Sequence, residues 1–152
     1  MPLGLLKDFL DENHVKYVAI NHPPAFTAQE IAQSAHIAGR EMVKTVIVKI
    51  DGTLKMVVLP ATEKLDFEIL KNFAHAHKVE LASEYEFTSR FGDCELGAMP
   101  PFGNLFGMEV LMAESLGRNE QIAFNAGSHT ELLRLAAKDF KQLVKPQVVS
   151  SL

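Results

Sequence analysis

The chain has 152 residues, 47% of them in the hydrophobic set and 22% charged. That is the size of one domain of roughly 100 to 200 residues, with enough apolar mass for a core and too little charge for disorder, so residues 1–152 are expected to form a single unit. Against 19 Asp and Glu there are 15 Lys and Arg, a net charge of −4, which excludes a protein that grips long nucleic acid through bulk positive charge.

The one cysteine, Cys94, cannot form a disulfide within the chain, and a reducing compartment, the cytoplasm, is the expected setting. The stretch MPLGLLKDFLDENH has no basic segment followed by a long apolar one, and no apolar run approaches the roughly 20 residues that span a bilayer. Neither export nor membrane insertion is expected.

In chain order, Leu3, Leu5, Leu6, Phe9 and Leu10 recur at mixed three and four spacings before the polar DENH, which predicts a short amphipathic helix ending near His14. Val15 to Ile20 reads as a strand. The proline pair of NHPPAFTAQE bars helix, and Thr27 with Glu30 then has capping-box spacing, so a helix is expected from Ala28 to about Ala38, ended by Gly39. Val43 to Ile50 and Leu54 to Leu59 are β-branched and aliphatic runs around Asp51-Gly52-Thr53, the signature of a hairpin.

Helices are expected from Asp66 to His77 and from Ser83, where Glu86 completes another capping box. The stretch GDCELGAMPPFGNLFG is too rich in Gly and Pro for regular structure and too apolar for a solvated linker, so it should pack against the body of the protein. Val110 to Ala113 and Gln121 to Phe124 read as short strands, and a last helix is expected from about Thr130 to Val144, before Pro146. Strands and helices interleave without strict βαβ alternation, which gives an α+β class with a mixed or largely antiparallel sheet.

Several residues are candidates for chemistry. Lys44 opens an apolar strand face shared with Val46, Val48 and Ile50; its ammonium either reaches back to water or is held in a cleft where desolvation alters its proton affinity. Gly127-Ser128-His129 lies between a strand and the expected last helix, with Ser128 and Glu131 at capping-box spacing. His129 is then either a surface histidine beside an ordinary cap or a proton-transfer group beside free N–H groups. In Gly97-Ala98-Met99-Pro100-Pro101-Phe102-Gly103, glycines allow close backbone approach and prolines fix φ, as a ligand-holding loop or a purely structural turn would require.

Arg134, Lys138, Lys141 and Lys145 would align along the expected last helix, as a solvated face or a phosphate-binding stripe. His75 and His77 are too close in sequence to chelate from one helix face, and no metal, P-loop or dinucleotide motif is present, so no metal or cofactor is expected. Asp93 and Glu95 would raise the Cys94 thiol pKa, which favours a structural cysteine over a nucleophile.

The order of these features (HPP near residue 22, a lysine opening VKTVIV, the GAMPPFG loop, then FNAGSH) resembles the YbaK/EbsC family of free-standing aminoacyl-tRNA deacylases, related to the editing domain inserted in bacterial prolyl-tRNA synthetases. The resemblance runs from about His22 to Pro146 and implies a barrel-like sheet flanked by helices. It also implies metal-independent hydrolysis of the ester joining a wrongly attached small amino acid to the terminal adenosine of a tRNA.

The family lysine falls on Lys44, its GxxxP loop on Gly97 to Pro101, and its glycine-containing turn on Gly127, Ser128 and His129, with His22 near the cleft. Thr45 follows the lysine as in YbaK-like members, where some alanine-removing relatives carry asparagine. The catalytic groups implied are Lys44, Gly97 and His129. The substrate-binding ones are His22, Thr45, Pro101, Gly103, Gly127 and Ser128; Met42, Met99 and Phe102 join them as candidates by proximity to the motifs, and the Arg134, Lys138, Lys141 and Lys145 stripe is the candidate for the tRNA backbone. The implied partners are the acceptor end of aminoacyl-tRNA and, transiently, an aminoacyl-tRNA synthetase, with no duplex DNA and a monomer or homodimer. The competing reading is a non-catalytic module of the same fold that holds aminoacyl-tRNA or a nucleotide-like ligand.

Overall fold

The computed structural model describes residues 2–25, 27–91, 94, 95 and 97–150; Asp93, named above for its effect on Cys94, lies outside them. The chain opens with helix α1 (Pro2–Glu12) and strand β1 (Tyr17–Asn21), then helix α2 (Ala28–Ser34). The capping box that starts α2 is formed: Thr27 Oγ1 accepts the Glu30 N–H at 3.0 Å and Glu30 Oε1 accepts the Thr27 N–H at 3.3 Å. The helix ends before Gly39, because the chain turns at His36 with φ +58°. Gly39 instead permits a close approach between segments, since a Cβ there would come within 2.8 Å of Thr62 Cγ2.

Strands β2 (Val43–Ile50) and β3 (Thr53–Pro60) form the expected hairpin, with Val43 opposite Pro60 and Ile50 opposite Thr53. Its turn needs positive φ at both central residues, found at Asp51 (+49°) and Gly52 (+84°). Helix α3 (Phe67–Ala74) is capped by Asp66, whose carboxylate accepts the Glu68 and Ile69 N–H groups at 2.9 and 3.2 Å, and it stops at His75, φ +52°. Then follow β4 (Val79–Leu81), α4 (Glu84–Phe91), a 3-10 turn (Gly103–Phe106), β5 (Glu109–Ala113) and α5 (Glu114–Gly117). The chain ends with β6 (Gln121–Ser128), β7 (Glu131–Ala136), α6 (Ala137–Val144) and β8 (Gln147–Val149).

The class is α+β, as the sequence predicts. Strands β4-β2-β3-β5-β8 make one sheet, antiparallel on the β4 side and parallel from β3 to β8, and β1-β7-β6 make a second, antiparallel one. Among the described residues the sheets do not close into a barrel, which corrects the barrel-like shape the family resemblance implied. They are joined through a parallel bridge of Met42 with Ala123.

The largest correction concerns residues 131–136. They form the central strand of the second sheet and not the first part of a helix. A strand covered on both faces loses its alternation: Leu133 and Leu135 pack in the main core while Leu132 packs in a second cluster on the other face, so the apolar residues do not fall at every second position. Arg134 therefore leaves the expected cationic stripe. It sits on β7 and binds Glu41 at 3.3 Å, while Lys138 and Lys141 are exposed on α6 and Lys145 is exposed just beyond it. His129 likewise lies in a hairpin turn between β6 and β7, not at a helix start.

The main core gathers around Phe102, fully buried, with Phe9 at 6.2 Å and Phe124 and Phe140 each at 5.3 Å between ring centroids. This anchors the glycine- and proline-rich loop to both sheets and to α1 and α6. Phe102→Ala is expected to cost about 3–5 kcal/mol, whereas Tyr85→Ala, at a 92% exposed position, should change stability by less than about 0.5 kcal/mol in urea unfolding.

Candidate functional site

On β2 the side chains of Met42 and Lys44 project to the same side, and that side is covered by two separate apolar clusters. Met42 packs with Ile31 and Ala32 of α2, while Val48 packs with Leu59 and with Leu70 of α3. Lys44 stands at the gap between them. A cleft of about 270 Å³ opens there, lined by Thr27, Gln29, Lys44, Ala61, Glu63 and Lys64 among others. Lys44 Nζ donates to the Glu63 carbonyl, and the Glu63 carboxylate is held from the other side by Ser115 Oγ at 2.7 Å. Burial pushes the Lys44 ammonium below the ordinary lysine value of 10.5, the neighbouring Lys64 pushes it further, and Glu63 partly offsets both.

A second group forms where three turns meet. The Glu95 N–H donates to the Gly127 carbonyl and the Gly127 N–H to the Ala98 carbonyl, both at 2.9 Å. The Glu95 carboxylate accepts the His129 N–H at 3.0 Å and lies 3.9 Å from His129 Nε2. Gly97, at φ +82°, presents its bare α-carbon to the imidazole: a Cβ there would sit 3.4 Å from His129 Cε1. The segment after β1 closes the group, with the His22 N–H on the Thr130 carbonyl at 2.9 Å and the Ala25 N–H on the His129 carbonyl at 3.3 Å.

No hydrogen bond among the described residues joins Lys44 to the Gly97 loop; the segment 22–29 connects the two groups. Ala25 is bonded to the His129 turn and Thr27 lines the Lys44 cleft. Two residues of extended chain span at most about 7 Å, so the two groups occupy the two ends of one short strap.

The other sequence candidates fall around this frame. Met42 and Phe102 are fully buried behind it, Met99 and Pro101 are buried in the loop, and Thr45 projects from the opposite side of β2 to Lys44. Gly103 starts the 3-10 turn, where a Cβ would come within 2.9 Å of the Met108 carbonyl oxygen, so its absence is a packing requirement. Ser128 Oγ lies 3.3 Å from Thr130 Oγ1 within the hairpin turn.

Two residues of this region stand outside the sequence motifs. Glu95 draws notice in the sequence only as a neighbour of Cys94, yet it fastens the His129 turn. Asn125 sits in the middle of β6, 8% exposed, and its Oδ1 has no hydrogen-bond partner among the described residues. A lone amide inside the apolar run Ile122-Ala123-Phe124-Asn125-Ala126 is the signal that could have found it.

The fold has clear counterparts among solved structures. The hypothetical protein APE2540 superposes with a TM-score of 0.82 at 20% identity, over 94% of this chain and 95% of that one. A candidate trans-editing enzyme for prolyl-tRNA synthetase gives 0.81 at 20% identity, over 97% and 94%. A candidate signal transduction protein from Marinobacter aquaeolei gives 0.73 at 17%, over 95% of this chain but 29% of its own length. At these identities the likeness establishes an α+β domain of the trans-editing fold. No curated protein sequence matches the chain. The profile of the aminoacyl-tRNA editing domain matches residues 22–143, and the chain belongs to that family, as its motifs implied. The family connects it to aminoacyl-tRNA editing, and among the described residues no helix is long and apolar enough to cross a membrane.

Gly97→Ala tests the close packing at the His129 turn. A β-carbon at φ +82° is expected to cost about 1–3 kcal/mol in urea unfolding and to shift the His129 ring resonances in NMR spectra, whereas Gly52→Ala should leave those resonances in place.

Proposed function

We propose that the protein is a free-standing deacylase that hydrolyses the ester of mischarged aminoacyl-tRNA and releases a small amino acid. The observation that carries this reading is the half-buried Lys44 ammonium at the mouth of a cleft, strapped by residues 22–29 to the rigid Gly97–His129 corner. An aminoacyl ester is already activated, so a catalyst needs chiefly to orient water and to stabilise the charge that develops on the carbonyl oxygen.

In this mechanism Lys44 leaves the Glu63 carbonyl and donates to the ester or terminal-ribose oxygens. The Ala98 N–H is already committed to the Glu95 carbonyl at 3.0 Å, whereas the Gly97 N–H donates to nothing among the described residues, and it takes the role of holding the carbonyl oxygen in this mechanism. Water attacks the carbonyl carbon and gives its proton to His129 or, through the neighbouring ribose hydroxyl, to solvent. The tetrahedral oxyanion collapses, the ester C–O bond breaks, and the departing ribose oxygen takes a proton. A cleft of about 270 Å³ admits small side chains and excludes large ones by size, a filter that separates small ones from each other poorly. With a net charge of −4, contact limited to the acceptor end suits the chain; the exposed Lys64 lines the cleft itself, and Lys138, Lys141 and Lys145 are exposed on and beyond α6.

Lys44→Ala should slow single-turnover hydrolysis of a mischarged tRNA by about tenfold to a thousandfold, the range for a lost electrostatic donor. A variant within about a factor of two of the parent removes Lys44 from the mechanism, and a parent no faster than free ester hydrolysis leaves the non-catalytic binding module as the better reading. The pH profile adds a sign: the ammonium is the working form, so activity corrected for spontaneous hydrolysis should fall as pH rises through the lowered Lys44 value. That limb should lie below 10.5 and move upward in Lys44→Arg.

A further inference from the structure

Two neutral acceptors are buried without partners on the side of the molecule that Lys44 faces. Asn125 lies two residues beyond Ala123, and Ala123 packs with Met42 in the cluster under α2; alternation along β6 therefore turns Asn125 toward the same side. The Met42–Ala123 bridge is parallel, so β6 runs from Ala123 toward Asn125 in the same direction as the neighbouring chain runs from Met42 toward Lys44. His22 reaches this side from the other edge. It lies two residues beyond Ile20, which packs on the same cluster, and its N–H still bonds the Thr130 carbonyl across β7.

Both side chains are more than nine-tenths buried, His22 at 7% and Asn125 at 8% exposure, and neither His22 Nε2 nor Asn125 Oδ1 has a partner among the described residues. Nδ1 of His22 lies 2.8 Å from the Pro23 carbonyl, which can only accept, so Nδ1 carries a proton, and the Nδ1–H tautomer has its lone pair on Nε2. Leaving two buried acceptors unmatched is costly, which marks a place where a ligand's donor belongs.

We infer that Asn125 Oδ1 and His22 Nε2 recognise the free α-amino group of the bound aminoacyl ester, so that the protein distinguishes aminoacyl-tRNA from its N-blocked counterparts. This deepens the deacylase reading and rests on it. Asn125 and the strand that leads to His22 flank β7, about 10 Å apart across the sheet, and their side chains extend from one face. Ester and ribose oxygens at Lys44 place the amine on the Asn125 and His22 side, away from the lysine cation. An amide and an imidazole suit that position, since both accept from an amine whether or not it is protonated. The carboxylate in the neighbourhood, that of Glu95, is already committed to the backbone of His129.

The test compares alanyl-tRNA with N-acetyl-alanyl-tRNA under single turnover. The parent should prefer the free amine at least tenfold in kcat/KM. Asn125→Ala and His22→Ala should each lower kcat/KM for the free substrate about tenfold and leave the blocked one unchanged, so that the ratio collapses, while Asn125→Asp, which restores an acceptor, should retain a preference. A parent that treats both substrates alike, or variants that slow both equally, overturns the inference. If the parent cleaves neither, alanine is not the amino acid removed or the chain is not a deacylase, and binding decides this one. By calorimetry, amide-linked 3′-alanylamino-3′-deoxyadenosine with a free amine should bind the parent at least tenfold more tightly than its acetylated form, and equal affinities overturn the proposal.

Discussion

The arrangement depends on one backbone junction. At the Met42–Ala123 bridge the Ala123 N–H donates to the Glu41 carbonyl at 2.9 Å, and one strand over the Ala61 N–H donates to the Met42 carbonyl at 2.8 Å. Two sheets that otherwise have their own ladders are thereby put in register with each other. Met42 and Ala123 are both fully buried, so the junction is shielded from water, where backbone hydrogen bonds are hardest to exchange. From it the strands run on together, one toward Lys44 and the other toward Asn125 and the Gly127 turn.

The second constraint is the fastening of a loop that has little regular structure of its own. Phe102 drives one end into the core between Phe9, Phe124 and Phe140, while Glu95, Ala98 and Gly127 exchange backbone bonds at the other. The prolines between have no N–H that needs an acceptor and remove conformational freedom in advance. A loop tied at both ends can hold a backbone N–H such as that of Gly97 in place, the condition for a dipole to stabilise charge without reorganising.

Much of this is legible in the sequence because local chemistry and tertiary structure agree. Asp51-Gly52 specifies its turn, Thr27 with Glu30 and Asp66 cap their helices, and the order of the motifs marks the family. The failures have physical causes. Ser128 with Glu131 imitates a capping box, but the Ser128 hydroxyl is engaged with Thr130 in a hairpin turn, and Glu131 opens a strand. A strand buried on both faces then carries no period by which it could be told from a helix. Asn125 is hidden by the same ambiguity: the expected strand stops at Phe124, so no face can be assigned to the next residue. Met42 and Phe102 stand next to the motifs in sequence but lie behind the site in space.

The resting contact of Lys44 with the Glu63 carbonyl sets a threshold for anything that enters the cleft. A newcomer's oxygen replaces an existing acceptor, so the handover itself is close to isoenergetic and yields little net affinity. A fragment that offers only an oxygen gains almost nothing by displacing the carbonyl. Occupancy must come from the remainder of the molecule, from features that fit elsewhere along the cleft. In the proposed mechanism the lysine is therefore a late participant, released when the rest of a guest already holds, an order that disfavours idle capture of small carbonyl compounds from solution.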